Sequence, residues 1–142
     1  MSNTPNQLKG TPDFIAELSA KEKGEPIASF LKMKLLELKP GFAKVTMKLR
    51  PEYQNFNKVL FGGVIMALAD QAFAYGSNSL DCPSLATQFN IHFIAGAGVD
   101  DQLTAECRVV RSGRRVGISE ITVTNQEGKL IAKATGTTIP VG

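Results

Sequence analysis

Polar and apolar residues alternate along FAKVTMKLR, where Val45, Met47 and Leu49 are interleaved with Lys44, Thr46, Lys48 and Arg50. A period of two puts these sets on opposite faces of a β-strand. The preceding LKMKLLELK reads as its partner, and Pro40-Gly41 between them predicts a hairpin turn. Upstream, TPDFIAELSAKEKG reads as a short amphipathic helix, with Thr11 as N-cap, Pro12 at the first helical position and Gly24 as its stop. Phe14, Ile15 and Leu18 form its apolar stripe, and a second short helical turn covers Pro26 to Leu31. After the polar loop PEYQNFNK the period changes. GGVIMALADQAFAYGSNS is apolar almost all round from Val64 to Tyr75, the pattern of a buried helix. Gly62-Gly63 and Gly76-Ser77-Asn78-Ser79 bracket it. Beyond it the period returns to two. SLATQFNIHFIAG sets Leu85, Thr87, Phe89, Ile91 and Phe93 on one face. DQLTAECRVVRSG, RRVGISEITVTNQEG and KLIAKATGTTIP are three further strands, joined by tight turns at Ser112-Gly113 and Glu127-Gly128.

This order predicts an α+β fold: about six antiparallel strands wrapped around one long central helix, with short helices in front. The 142 residues suffice for one domain and fall short of two ordinary ones, so residues 1–10 are read as a loose segment and 11–142 as the domain. A composition of 43% apolar and 20% charged residues is that of a globular chain. No run reaches the roughly 18–20 apolar residues that span a bilayer, and the N-terminus lacks the basic-then-apolar pattern of a secretory signal. Cys82 and Cys107 are too few for a disulfide scaffold and too far apart for a paired metal-ligand motif. The expectation is a cytoplasmic protein with packing thiols, no metal and no membrane insertion. Sixteen Lys and Arg against 13 Asp and Glu leave a net charge of +3. That is too mild and too dispersed for a nucleic-acid partner, and compatible with a small polyanionic ligand. The one tight basic cluster is Arg111, Arg114 and Arg115.

Asp70 breaks the pattern. It sits in the least polar stretch of the chain, where an aspartate is a poor helix-interior residue and an unpaired carboxylate costs roughly several kcal/mol. No Lys or Arg occurs between Val59 and Ala105 to pair with it. Either hydroxyls, backbone amides or a rim of solvent satisfy the side chain, or it is there for chemistry. Eight residues upstream, Gly62-Gly63 opens the helix, where uncapped N–H groups and the positive end of the helix dipole can receive an oxyanion. A carboxylate on the same helix could activate water or attack a carbonyl held there. Two turns of helix span roughly 11 Å, too far for both groups of one chain to flank one carbonyl. A two-fold axis would place one chain's glycine beside the other's aspartate, so the site is expected at a homodimer interface, with a dimer of dimers also compatible.

The run NFNKVLFGGVIMALADQAFAYGSNS, Asn55 to Ser79, resembles the pattern N-x-x-G-x-x-H-G-G-x-x-x-x-L-A-D-x-A of the PaaI-like branch of the hotdog-fold acyl-CoA thioesterases. A looser likeness extends from about Pro26 to the C-terminus. The resemblance implies a hotdog fold, an acyl-CoA substrate and no separate cofactor, coenzyme A being part of the substrate. It implies that Asp70 is general base or nucleophile, that the Gly62 amide polarises the thioester carbonyl, and that Asn55 orients water or substrate from the facing subunit. Thr87 falls where relatives carry a Ser or Thr that assists the water. The segment Arg111-Ser112-Gly113-Arg114-Arg115 matches the region used near the coenzyme A nucleotide and pantetheine, or else is an ordinary solvated turn. Phe61 stands where relatives commonly carry histidine, beside Gly63 at the substrate carbonyl; Phe73 is a candidate acyl-pocket residue, with core packing as its alternative.

His92 is the sole histidine and alternates with Gln88 and Asn90 away from the helix, which disfavours a hotdog dehydratase. The reading is hydrolysis of a small or medium acyl-CoA, aromatic groups included. The alternative is a non-catalytic acyl-CoA or fatty-acyl binding protein, which the missing motif histidine would suit.

Overall fold

The computed structural model describes residues 12–80 and 83–141. Thr11, Cys82 and the segment 1–10 lie outside them. Helices α1 (Pro12–Lys21) and α2 (Pro26–Leu31) precede the hairpin β1 (Lys34–Lys39) and β2 (Phe42–Lys48). The long helix α3 (Gly62–Ser77) follows, then β3 (Ser84–Phe93), β4 (Gln102–Ser112), β5 (Gly117–Thr124) and β6 (Leu130–Pro140). The strands form one antiparallel sheet in the order β1-β2-β4-β5-β6-β3, so β1 and β3 are its edges.

The predicted alternation in β2 holds. Val45, Met47 and Leu49 are fully buried and pack with Ile65, Leu68, Ala69, Ala72 and Phe73 of α3 and with Leu103, Ala105, Ile121 and Val123 of β4 and β5. α3 crosses β2, β4 and β5, the middle of the sheet. Its seat there is set by small residues. A side chain at Gly76 would collide with Cys107 Sγ at 2.6 Å, and one at Gly136 with the Phe73 ring at 2.4 Å. Helix and sheet therefore approach more closely than any larger residue would permit. At the hairpin turn Gly41 takes a φ of +76° and donates its N–H to Ser79 Oγ (2.8 Å), which ties the β1–β2 turn to the end of α3.

Two expectations need correction. α3 is not enclosed on every face: Met66, Asp70 and Ala74 form an exposed stripe at i, i+4, i+8 on the side away from the sheet. A hydrophobic pattern counts apolar faces and cannot say which of them a single protomer covers. In β3 the register against β6 shifts between Ala86 and Gln88, leaving Thr87 without a residue opposite. One extra residue inverts the faces. Phe89, Ile91 and Phe93 pair with the inward Gly136, Ala134 and Ala132, but Leu85 pairs with the exposed Ile139 and is itself exposed.

Candidate active site

α3 begins abruptly. Phe61 occupies the N-cap in extended conformation (φ −65°, ψ 124°) and offers no side-chain cap. First-turn N–H groups have no intrahelical acceptor, so the amides of Gly62 and Gly63 are presented outward at the positive end of the helix. Gly63 is small for a local reason: a Cβ there would lie 2.5 Å from Phe61 Cε2, because the Phe61 ring folds back over it. Phe93, at the end of β3, covers Gly62 in the same way, its Cζ 3.1 Å from where a Cβ would stand.

The loop that delivers this start is built on Asn55. Its Oδ1 accepts the Asn57 and Val59 amides (2.8 and 3.2 Å), and its own N–H reaches Val59 O (2.7 Å). A bridge from Gln54 to Leu60 and a bond from Phe61 N–H to Tyr53 O (2.8 Å) complete the closure. The Asn55 carbonyl oxygen is thus committed to structure, and its NH₂ is the part that can face a ligand.

Asp70 lies eight residues into the helix on the exposed stripe. It forms no hydrogen bond or ion pair with any described residue. Although the side chain is exposed, the apolar helix around it removes enough water that burial holds its carboxyl above the ordinary 3.8. No basic group offsets that shift. It is a carboxylate made more basic by its surroundings.

The other predicted residues are distributed as follows. Thr87 is exposed on the edge strand, and its hydroxyl donates to Thr137 O (3.3 Å). Phe73 is 1% exposed and packs against Phe89 with the rings tilted 34° and their centroids 5.5 Å apart, so it is a core residue rather than a surface for a ligand. Arg111 lies near the end of β4, and Gly113, Arg114 and Arg115 fall in the β4–β5 turn that follows, closed by Gly113 N–H to Val116 O (2.9 Å). Arg111, Ser112 and Gly113 line a cleft of about 40 Å³ together with Ser77 and Leu80, at the back end of α3. Fifteen residues of helix separate Ser77 from Gly62, about 22 Å. Within one chain, then, Phe61, Gly62 and Gly63 are together, Asp70 is two turns away, and the arginine turn is at the opposite end.

Two features were not read from the sequence. One is a cleft of about 270 Å³ against Gly62, walled by Val59, Leu60, Ile65 and residues 93–97. The other is Glu25, whose Oε1 accepts both Gln71 Nε2 and Tyr75 OH (2.7 Å each) and so ties the start of α2 to α3. Burial, and next the Glu25 carboxylate, push the Tyr75 phenol above its usual 10.0. Two hydrogen-bonding side chains four apart on an otherwise apolar helix were the available signal. No group of His, Cys, Asp and Glu suited to a metal occurs among the described residues, and none of their helices is long and apolar enough to cross a membrane.

Comparison with known proteins bears on this arrangement. The model of the Thioesterase superfamily matches residues 57–132, from the loop before α3 into β6. The acyl-coenzyme A thioesterase PaaI of Escherichia coli (strain K12) is 31% identical over 120 residues, 84% of this chain and 86% of that protein. The solved structure of the E. coli PaaI protein from the phenylacetic acid degradation operon superposes with a TM-score of 0.84 at 28% identity, over 90% of this chain and 96% of that one. A hypothetical thioesterase protein of Streptococcus pneumoniae TIGR4, solved with coenzyme A, superposes with a TM-score of 0.79 at 27% identity, over 87% and 96%.

Proposed function

Because the chain belongs to the thioesterase superfamily, has its hotdog fold and is a thioester hydrolase, we propose that its substrate is an acyl-coenzyme A and that Asp70 carries the chemistry. One observation supports this above others: a carboxylate without a partner among the described residues, made more basic by burial, shares a helix with the uncapped Gly62 amide. The Asp70 carboxylate takes a proton from water, or attacks directly, while the thioester oxygen accepts a hydrogen bond from Gly62 N–H. Negative charge develops on that oxygen as the tetrahedral intermediate forms, so a donor aimed there strengthens in the transition state. Collapse breaks the C–S bond, and coenzyme A leaves as the thiolate and takes up a proton. As nucleophile, Asp70 would pass through an anhydride that water then opens; both routes need the ionised carboxylate.

The 11 Å or so between Gly62 and Asp70 along one helix is bridged in a homodimer whose two α3 helices run antiparallel. The exposed stripe of Met66, Asp70 and Ala74 and the unpaired edge of β3 supply surface for it. The same antiparallel arrangement carries one chain's arginine turn toward the other chain's Gly62. Arg111, Arg114 and Arg115 would then meet the coenzyme A phosphates, with Gly113 allowing close approach. Asn55 NH₂ orients water or the carbonyl, and the Thr87 hydroxyl assists the water from the edge strand. Incubation with a panel of acyl-CoAs and a thiol-detecting reagent tests the reading. Release of free coenzyme A is expected; tight acyl-CoA binding with no release from any member would replace hydrolysis with binding.

A further inference from the structure

The cleft beside Gly62 bears on which acyl group is accepted, an inference that rests on the acyl-CoA reading above. Its walls are Val59, Leu60, Ile65, Phe93, Ala95 and Ala97, with Gly62 among them, and every side chain lining it is apolar. The far wall is fixed by backbone: the amides of Ile94 and Ala95 both reach Ile131 O (2.8 and 3.2 Å). The near wall is the Phe93 side chain, carried at the end of β3 where its backbone pairs with Ala132. Phe93 is 53% exposed, and its ring is the closest atom group to the face of Gly62. A carbonyl held by the Gly62 amide would therefore direct its acyl tail past Phe93.

We propose that Phe93 determines acyl specificity, and that the cleft it borders admits an uncharged, apolar acyl group of limited length. The cleft's volume of about 270 Å³ sets that limit. Each methylene buried there favours binding by about fourfold. A carboxylate on the acyl chain would find no donor in the walls, and its desolvation disfavours it by more than about a hundredfold.

The test is kcat/KM for acetyl-, butyryl-, hexanoyl-, octanoyl-, dodecanoyl- and succinyl-CoA with the wild type, Phe93→Ala and Phe93→Leu. A rise from acetyl to hexanoyl, a fall by dodecanoyl, and succinyl at least about a hundredfold below butyryl are expected. Phe93→Ala should raise the dodecanoyl-to-butyryl ratio by about tenfold or more, with Phe93→Leu between it and the wild type. A merely structural role would lower all substrates together. An unchanged ratio, or succinyl equal to butyryl, would overturn the proposal while leaving hydrolysis intact. Calorimetric titration of Asp70→Asn with the same acyl-CoAs separates the two claims. Chain-length-dependent affinity that Phe93→Ala abolishes, without wild-type turnover, would support the cleft and reject hydrolysis.

Discussion

Replacing Asp70 with Asn should cut turnover sharply without harming the fold. The amide is nearly isosteric, and the carboxylate it replaces has no partner among the described residues, so no hydrogen bond is lost. The site is exposed in the protomer, and such substitutions stay within about 0.5 kcal/mol. The pH dependence fixes the sign. Burial raises the folded-state pKa of Asp70, so the folded chain binds this proton more tightly than the unfolded chain. Stability from this group is then greatest at low pH and is lost as pH rises from 3.8 through the raised value. Above that window the ionised carboxylate is a small burden that Asn removes, and thermal melts at pH 7 should show the variant equal to or slightly above the wild type. Turnover should fall at least about a hundredfold, near 2.7 kcal/mol of transition-state stabilisation. The acid limb of the wild-type kcat/KM profile should lie above 3.8 and vanish in the variant. Turnover within a few-fold of wild type, in a variant that melts normally, would refute the catalytic role.

Glu25→Ala removes the shared acceptor of Gln71 and Tyr75; a loss of about 1–3 kcal/mol in chemical denaturation is expected, with the Tyr75 phenol titrating at lower pH by ultraviolet absorbance. Unchanged stability would mean that the cluster does not hold α2 to α3. Gly136→Ala drives a methyl group into the Phe73 ring; overpacking of about 1–3 kcal/mol should lower Tm, and adding Phe73→Leu should recover part of it. Burial pushes the Cys107 thiol up to about 12, so peptide mapping after iodoacetamide at pH 8 should find Cys107 unmodified in the folded protein and modified in denaturant. Rapid labelling of the native chain would show that α3 does not seal that site.

The fold was legible because its strands alternate and its one long helix does not. Val45, Met47 and Leu49 point into the core as their spacing required, and the turns at Gly41 and Gly128 take the positive φ that glycine allows. What alternation cannot register is an insertion: the shift at Thr87 leaves no trace in composition, yet it turns Leu85 outward. Asp70 and Gly62 were legible as violations of local preference. Their environment was not, since exposure of the Met66–Asp70–Ala74 stripe depends on which faces the sheet covers. Glu25 meets Tyr75 across 50 residues, and Phe73 settles in the core because Gly136 makes room. Both are products of long-range packing that no local pattern encodes.

The shared site is tested most directly by mixing two inactive chains. Gly62→Pro removes the N–H proposed to bind the carbonyl; proline suits the first helical position and the extended Phe61 before it, and its ring would press on Phe93, 3.1 Å from a Cβ there. Asp70→Asn removes the carboxylate. If one chain's Gly62 works with its partner's Asp70, subunits unfolded together and refolded at equal ratio should regain about a quarter of wild-type activity, because half the dimers are mixed and each mixed dimer has one intact site. No recovery in a mixture shown by mass spectrometry to contain heterodimers would contradict it.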